Sequence, residues 1–283
     1  MPPSSKDVPE IGYYDREFTT FYAAQSDPRF SYGLYVPRAY DPDQKKRYPL
    51  VVLVHGTERS PWDYRSRFAG FAERNGCILL TPLFPANTFG GYDLENYKYL
   101  ACQGVRYDQV LLGMVDEVAA RYRLHDSRFC LFGFSGGGHF SHRFFYLHPQ
   151  RLTAVSIGAP GIVTLLDDRY DFWVGVRDME ARFGKRLDVE AMRRVPVQMV
   201  IGAEDTETWE IGFDQEDELW MPGGELTGHL NRLQRMELLK ESFERTGIAV
   251  RHSVVPGVDH DTPGVLPAVR RFFTGVLRDA RNA

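Results

Sequence analysis

The sequence predicts an α/β protein, a doubly wound and mostly parallel sheet with an antiparallel N-terminal hairpin and a lid-like insertion. Three observations predict it. Short runs that are apolar at every position recur along the chain, as in parallel strands covered on both faces. Segments of helical period separate those runs. The order strand, helix, strand persists to the C-terminus, the pattern of βα units wound on both sides of one sheet.

The elements follow in chain order. Phe18 to Tyr22 and Phe30 to Val36 are β-rich and flank the turn signal Ser26-Asp27-Pro28, which predicts the hairpin. Pro37 and the charged stretch Asp41 to Arg47 form a surface connection. Leu50 to Val54, five consecutive aliphatic residues, opens the parallel core. Cys77 to Leu80, Arg128 to Phe132, Ala154 to Ile157 and Val197 to Ile201 continue it, and Ala249 to Val255 is the last strand. Gln109 to Tyr122 predicts a helix, because Val110, Leu111, Met114, Val118 and Ala119 share one side while Asp116, Glu117 and Arg121 lie elsewhere. Arg235 to Thr246 predicts another, stopped at Gly247 where a C-cap favours glycine. Leu266 to Leu277 closes the chain. Two stretches break the rhythm. Residues 158–194 far exceed the usual connection of about 2–6 residues, so 159–195 are expected to form a lid or insertion within one domain spanning 1–283. Asp205 to Gly228 is a second excursion, carrying Trp209, Phe213 and Trp220.

Composition excludes several function classes. The 283 residues hold 34 basic and 38 acidic side chains, a net charge of −4, with no long basic run to bind nucleic acid. A content of 43% apolar and 13% aromatic residues is ordinary for a globular chain and argues against disorder. Cys77, Cys102 and Cys130 are too few for a disulfide framework, and their spacing fits no metal knuckle. Cys77 and Cys130 sit in apolar runs and are expected buried, whereas Cys102, in a polar and Tyr-rich stretch, is the candidate reactive thiol. The start MPPSSKDVPE lacks the basic and apolar regions of a signal peptide, and no apolar run of about 18 residues spans a membrane. A soluble, cytoplasmic protein is expected, with homo-oligomerisation left open.

The strongest chemical signal is Gly133-Phe134-Ser135-Gly136-Gly137, set between a strand and a helix-like segment from Gly138 to His148. Such a turn strains the serine backbone and leaves no room for side chains two positions before or after it. The hydroxyl then stands above the sheet edge at a helix N-terminus, where developing negative charge is favoured. A glycine-rich turn for phosphate is the alternative. A serine needs a base and the base an orienter. Of eight histidines, His139, His142 and His148 ride on the helix after the serine and cannot reach its hydroxyl. His252 lies mid-strand and His125 in a loop before a strand, while His229, in a loop, is a distant second choice. His260 follows the last strand, at the same sheet edge as Ser135. Asp205, just past the strand Val197 to Ile201, is the orienting carboxylate, with Glu204 as substitute and Asp259 and Asp261 weaker. The oxyanion calls for two N–H donors, each worth roughly 3 kcal/mol of barrier. Gly136 supplies one, and Thr57, in His55-Gly56-Thr57 after the first parallel strand, supplies the other, with His55 as a structural brace. Trp62, Phe84, Phe89, Tyr92, Trp173 and Trp209 follow strand ends on the side of Ser135 and are expected to wall the substrate site, with about half of them only filling loop cores.

In this order and at these strand ends, His55-Gly56, the Ser135 turn, Asp205 and His260 resemble the α/β-hydrolase superfamily over about residues 30–280. Gly133 to Gly138 and the helix end Tyr146-Leu147-His148-Pro149 are similar to small esterases and polyhydroxyalkanoate-depolymerase-like proteins. Secreted depolymerases carry a leader and disulfides, and neither is visible in this sequence. The resemblance implies the α/β-hydrolase fold and no metal or organic cofactor. It implies a serine hydrolase cleaving a small-molecule or oligomeric carboxylic ester through an acyl-enzyme. A thioesterase, acyltransferase or peptidase would use the same residues, and a catalytically silent binding protein would keep the same fold.

Overall fold

The computed structural model describes residues 11–91 and 93–282. Its strands are β1 (Glu17–Ala23), β2 (Ser31–Val36), β3 (Tyr48–Val54), β4 (Ile78–Leu83), β5 (Ala101–Cys102), β6 (Val105–Arg106), β7 (Leu124–Phe134), β8 (Leu152–Gly158), β9 (Val197–Gly202) and β10 (Val250–Val255). Its α-helices are α1 (Pro61–Asn75), α2 (Tyr107–Arg121), α3 (Gly136–Leu147), α4 (Met179–Phe183), α5 (Val189–Arg193), α6 (Arg232–Arg245) and α7 (Thr262–Asn282). Eight strands form one sheet in the order β1-β2-β4-β3-β7-β8-β9-β10. The six from β4 to β10 run parallel, while β2 pairs antiparallel with both β1 and β4. This is the predicted mixed sheet with its N-terminal hairpin.

Val51 to Val54 are all 0% exposed, which is why the run carries no polar residue on either face. The two faces can be read from β7. Phe132 meets Phe68 of α1, whereas Phe129, an odd number of positions away, meets Phe144 of α3. Phe243 of α6 and Tyr107 of α2 join the α3 side, through Phe145 and through Phe84 and Phe140 respectively. Helix α7 touches α1 and shares its face.

Helix α1 has no counterpart in the sequence reading. Its buried positions Tyr64, Phe68, Phe71 and Ala72 keep helical spacing, but Arg65 and Asn75 share that buried face and dilute the apolar stripe. Pro61 opens it, and Gly76 closes it at φ 56°. Cys102 lies on the short β5–β6 hairpin, half-buried; desolvation pushes its thiol up, which disfavours a reactive thiolate there. Cys77 and Cys130 are buried as expected.

Residues 159–195 contain α4 and α5 and bury Phe172, Trp173, Val174, Met179, Phe183 and Met192. The fully buried Arg235 of α6 ties three segments together. Its guanidinium donates to Leu230 O (2.9 Å), Ile211 O (2.9 Å), Gly228 O (3.1 Å) and the carbonyl of Gly161. Five fixed donors suit a cluster of loop carbonyls. No helix among the described residues is long and apolar enough to cross a membrane.

The chain steps from β3 to β4 on one side and then returns to β7 on the other. The C-terminal ends of β3 and β7 therefore flank the point where the winding reverses, which is where open α/β sheets form a ligand crevice.

Candidate active site

Ser135 sits between β7 and α3 with φ 55° and ψ −117°, a strained conformation that only a well-determined surrounding sustains. The glycines around it are demanded by backbone contact. A Cβ at Gly133 would overlap Gly137 O, and one at Gly137 would overlap Val54 O. The Ser135 N–H donates to Gly158 O of β8 at 2.9 Å, and its carbonyl accepts the His139 N–H at 3.0 Å. The turn is thus held by β3, by β8 and by the helix it starts.

Asp205 and His260 meet in the loops that follow β9 and β10. His260 Nδ1 donates to Asp205 Oδ2 at 2.6 Å, which leaves Nε2 as the free nitrogen. The carboxylate is wholly buried, whereas the imidazole side chain is 23% exposed, lies against the Phe134 ring (centroids 4.9 Å apart) and lines one cleft with Ser135. Backbone contact fixes the two loops together. Ala203 N–H donates to Val255 O and Glu204 N–H to Val258 O, both at 2.9 Å. Glu204, the substitute orienter, is exposed. Asp259 Oδ1 accepts the His260 backbone N–H at 2.7 Å, so its carboxylate is used by the loop itself.

The loop after β3 lies against the serine. A Cβ at Gly56 would stand 3.7 Å from Ser135 Cβ, and a Cβ at Gly136 would stand 3.1 Å from Thr57 N. The N–H groups of Thr57 and Gly136 therefore border the same space. Neither has an acceptor among the described residues. His55 braces this loop. Its Nδ1 donates to Gly56 O (2.8 Å), its Nε2 accepts the Phe84 N–H (3.0 Å), and its carbonyl takes the Tyr97 hydroxyl (3.0 Å). Burial lowers its pKa to about 3, so the ring is neutral. Arg59 adds bonds to Thr57 O (2.6 Å) and Leu94 O (2.8 Å).

The cleft has a volume of about 570 Å³, within the range of small-molecule sites. Glu58, Asp63, Glu95, Glu210 and Asp261 line it against two cations, Lys98 and Arg232. Lys98 Nζ pairs with Glu95 Oε1 at 2.6 Å, and desolvation lowers its pKa. Among the described residues no group of three or more His, Cys, Asp or Glu side chains is placed to hold a metal ion.

The expected aromatic walls are mostly elsewhere. Trp209, 77% exposed, borders the cleft. Trp62 projects from α1 into solvent, outside the cleft. Phe89 lies under the Arg29 guanidinium, 5.1 Å from its ring centroid. Trp173 is buried against Phe213 and donates from Nε1 to Leu219 O at 3.1 Å. Phe84 packs in the core among Phe30, Tyr97 and Phe140. Tyr92 lies outside the described residues. Among the cleft residues that sequence reasoning missed are Lys98, His139 and Arg232. For His139 the signal was present: four positions after Ser135, it stands one helical turn along the same face. Its Nε2 accepts the Ile162 N–H at 3.1 Å, and burial keeps it neutral.

No protein-family model matches the sequence, and no curated protein matches it. Solved structures do. A poly(3-hydroxybutyrate) depolymerase from Bordetella parapertussis superposes with a TM-score of 0.71 at 23% identity, over 96% of this chain and 92% of that one. A poly(aspartic acid) hydrolase-1 from Sphingomonas sp. KT-1 gives 0.69 at 19% identity, over 86% and 92%. A ferulic acid esterase gives 0.64 at 16% identity, over 92% and 96%. The likeness defines the class of architecture: the chain has the α/β-hydrolase fold.

Proposed function

We propose that the protein is a serine hydrolase of carboxylic esters, with Ser135 as nucleophile, His260 as general base and Asp205 as its orienter. The observation that carries this is the 2.6 Å bond from His260 Nδ1 to the buried Asp205, in the cleft that also holds the strained Ser135. With Nδ1 so engaged, Nε2 takes the Ser135 proton as the hydroxyl attacks the ester carbonyl. The Gly136 and Thr57 N–H groups receive the oxyanion. The imidazolium then protonates the leaving alkoxide. Water, deprotonated by the same nitrogen, releases the acyl group and regenerates the serine.

Carboxylates outnumber cations around the cleft, and both cations are already paired. A neutral ester suits it better than an acidic one. We read the chain as a single domain in which 159–195 is an insertion that walls the cleft through Gly161 and Ile162. The test is a fluorophosphonate probe with hydrolysis of p-nitrophenyl esters of graded acyl length. One adduct at Ser135, lost in Ser135→Ala together with hydrolysis, is expected. An adduct elsewhere, or ester turnover unchanged in Ser135→Ala, overturns the assignment.

A further inference from the structure

Behind the Asp205–His260 pair stands a buried guanidinium. Arg232, 3% exposed, is the first residue of α6, whose start is fixed by the Asn231 capping box with Gln234. Its Nη1 lies 3.3 Å from Asp205 Oδ1, and its Nη2 donates to Glu210 Oε2 at 2.8 Å. The Glu210 side chain is 48% exposed. Four charged or titratable groups therefore run in line, Glu210, Arg232, Asp205 and His260, ending at the cleft.

We propose that Arg232 is a positioning residue for the Asp205–His260 pair, and that Glu210 moderates its pull on Asp205. The proposal rests on the reading of Ser135, Asp205 and His260 as one hydrolytic relay. Its first part is geometric. Asp205 gives Oδ2 to the imidazole and Oδ1 to Arg232, so the carboxylate is gripped on both oxygens and cannot rotate away from Nδ1. Its second part is electrostatic. A carboxylate beside an imidazole favours the imidazolium, and a guanidinium on the far side of that carboxylate opposes it. Glu210 offsets part of that opposition. One unit charge removed at this range, in a partly buried setting, moves a titration by about one pH unit.

The other groups facing His260 are Asp259 and Asp261 of its own loop, the Phe134 ring and Ser135 at the turn, and Thr262 on α7. Glu58, Asp63, Tyr64, Glu95, Lys98 and His139 share the cleft with it. All of these persist in the variants below, so a shift reads Arg232 and Glu210. Arg235, three residues along the same helix, bonds only to carbonyls and is the control for a merely structural arginine.

The experiment records the pH dependence of kcat/KM on a neutral ester, and in parallel the NMR titration of the His260 ring, which needs no turnover. Arg232→Met is expected to move both midpoints alkaline by about one unit. It should lower kcat by about 10- to 100-fold, with KM within about threefold. Arg232→Lys, which keeps the charge, should return the midpoints toward wild type. Glu210→Gln should move them acid by a fraction of a unit, the opposite sign, and Arg235→Lys should leave them in place. Unmoved midpoints in Arg232→Met overturn the proposal, as does a change confined to KM, which would make Arg232 a substrate contact. If Arg232→Met does not fold, Glu210→Gln decides alone: an acid shift supports the proposal and no shift overturns it. A wild-type protein that neither hydrolyses esters nor takes a fluorophosphonate at Ser135 defeats the hydrolase reading, while the NMR shifts still decide the role of Arg232.

Discussion

Two carboxylate–imidazole pairs are built into this molecule with the same bond length and different surroundings. Asp205 and His260 meet at 2.6 Å at the C-terminal edge of the sheet; Asp108 of α2 and His148 at the end of α3 also meet at 2.6 Å. Each imidazole rests against a phenylalanine, Phe134 at 4.9 Å and Phe144 at 4.7 Å between ring centroids. What differs is the second nitrogen. In His148 it accepts from Lys185 Nζ at 3.0 Å, the side chain is 1% exposed, and Asp108 is further clasped by both Arg106 guanidinium bonds. In His260 it is left for the cleft. The comparison teaches that a short bond to a carboxylate does not by itself make a base: a base needs one nitrogen that the fold leaves unused.

Histidine removal should separate the two pairs most sharply. His260→Ala is expected to cut ester turnover by about 10⁴-fold, with a stability cost as well, because the buried Asp205 then keeps only the 3.3 Å contact from Arg232. His148→Ala leaves Asp108 buried beside fewer partners and is expected to cost about 3–5 kcal/mol of stability, while turnover per folded molecule stays within about threefold. Denaturant unfolding together with active-site-titrated kinetics reads both. Loss of turnover in a fully stable His148→Ala protein would erase the distinction.

Acid sharpens the same contrast. Burial would raise the Asp108 carboxyl, but hydrogen bonds from His148 and Arg106 outweigh it and hold the pKa at about 2. A folded value below the unfolded one means stability that is present above about pH 4 and lost as pH falls towards 2, on the order of 2 kcal/mol. His148 and the wholly buried His55, His139 and His142 are lowered chiefly by burial, so the native state favours their neutral forms. Stability should therefore begin to fall below about pH 6.5, by up to about 1.4 kcal/mol per pH unit for each ring. Urea unfolding at stepped pH reads this as one steepening decline that begins near pH 6.5, to which Asp108 adds only below about pH 4. A stability curve level from pH 7 to 3 would contradict both assignments.

The proposed oxyanion donors give the finest distinction, between a side chain and its backbone. Thr57→Ala keeps the N–H and is expected to change kcat by less than about threefold. Thr57→Pro removes it and should lower kcat by about 10²- to 10³-fold. Equal losses in the two variants would assign the role to the hydroxyl.

How far the sequence reveals this architecture depends on how local each requirement is. The Ser135 turn is legible because strand, glycines, serine and helix are contiguous and each glycine answers a nearby backbone contact. Asp205 and His260 are legible because a parallel sheet brings the ends of β9 and β10 side by side. The aromatic walls are not, since a strand end says where a loop starts and nothing about where its side chains turn. Trp173 turns inward to Phe213, whereas Trp209 turns out to the cleft. Helix α1 hides because its buried stripe includes the charged Arg65 and the polar Asn75, and Arg232 and Lys98 arrive at the cleft from segments with no motif to mark them.

Arg235 has a consequence for how the protein could diversify. Because one cation clasps carbonyls from residues 161, 211, 228 and 230, the far wall of the cleft behaves as a single casting rather than as separate strips. Accommodating a bulkier ligand by bending that wall would break several bonds at once. New preferences are therefore to be sought by exchanging side chains such as Trp209 at the rim, leaving the backbone mould as it stands.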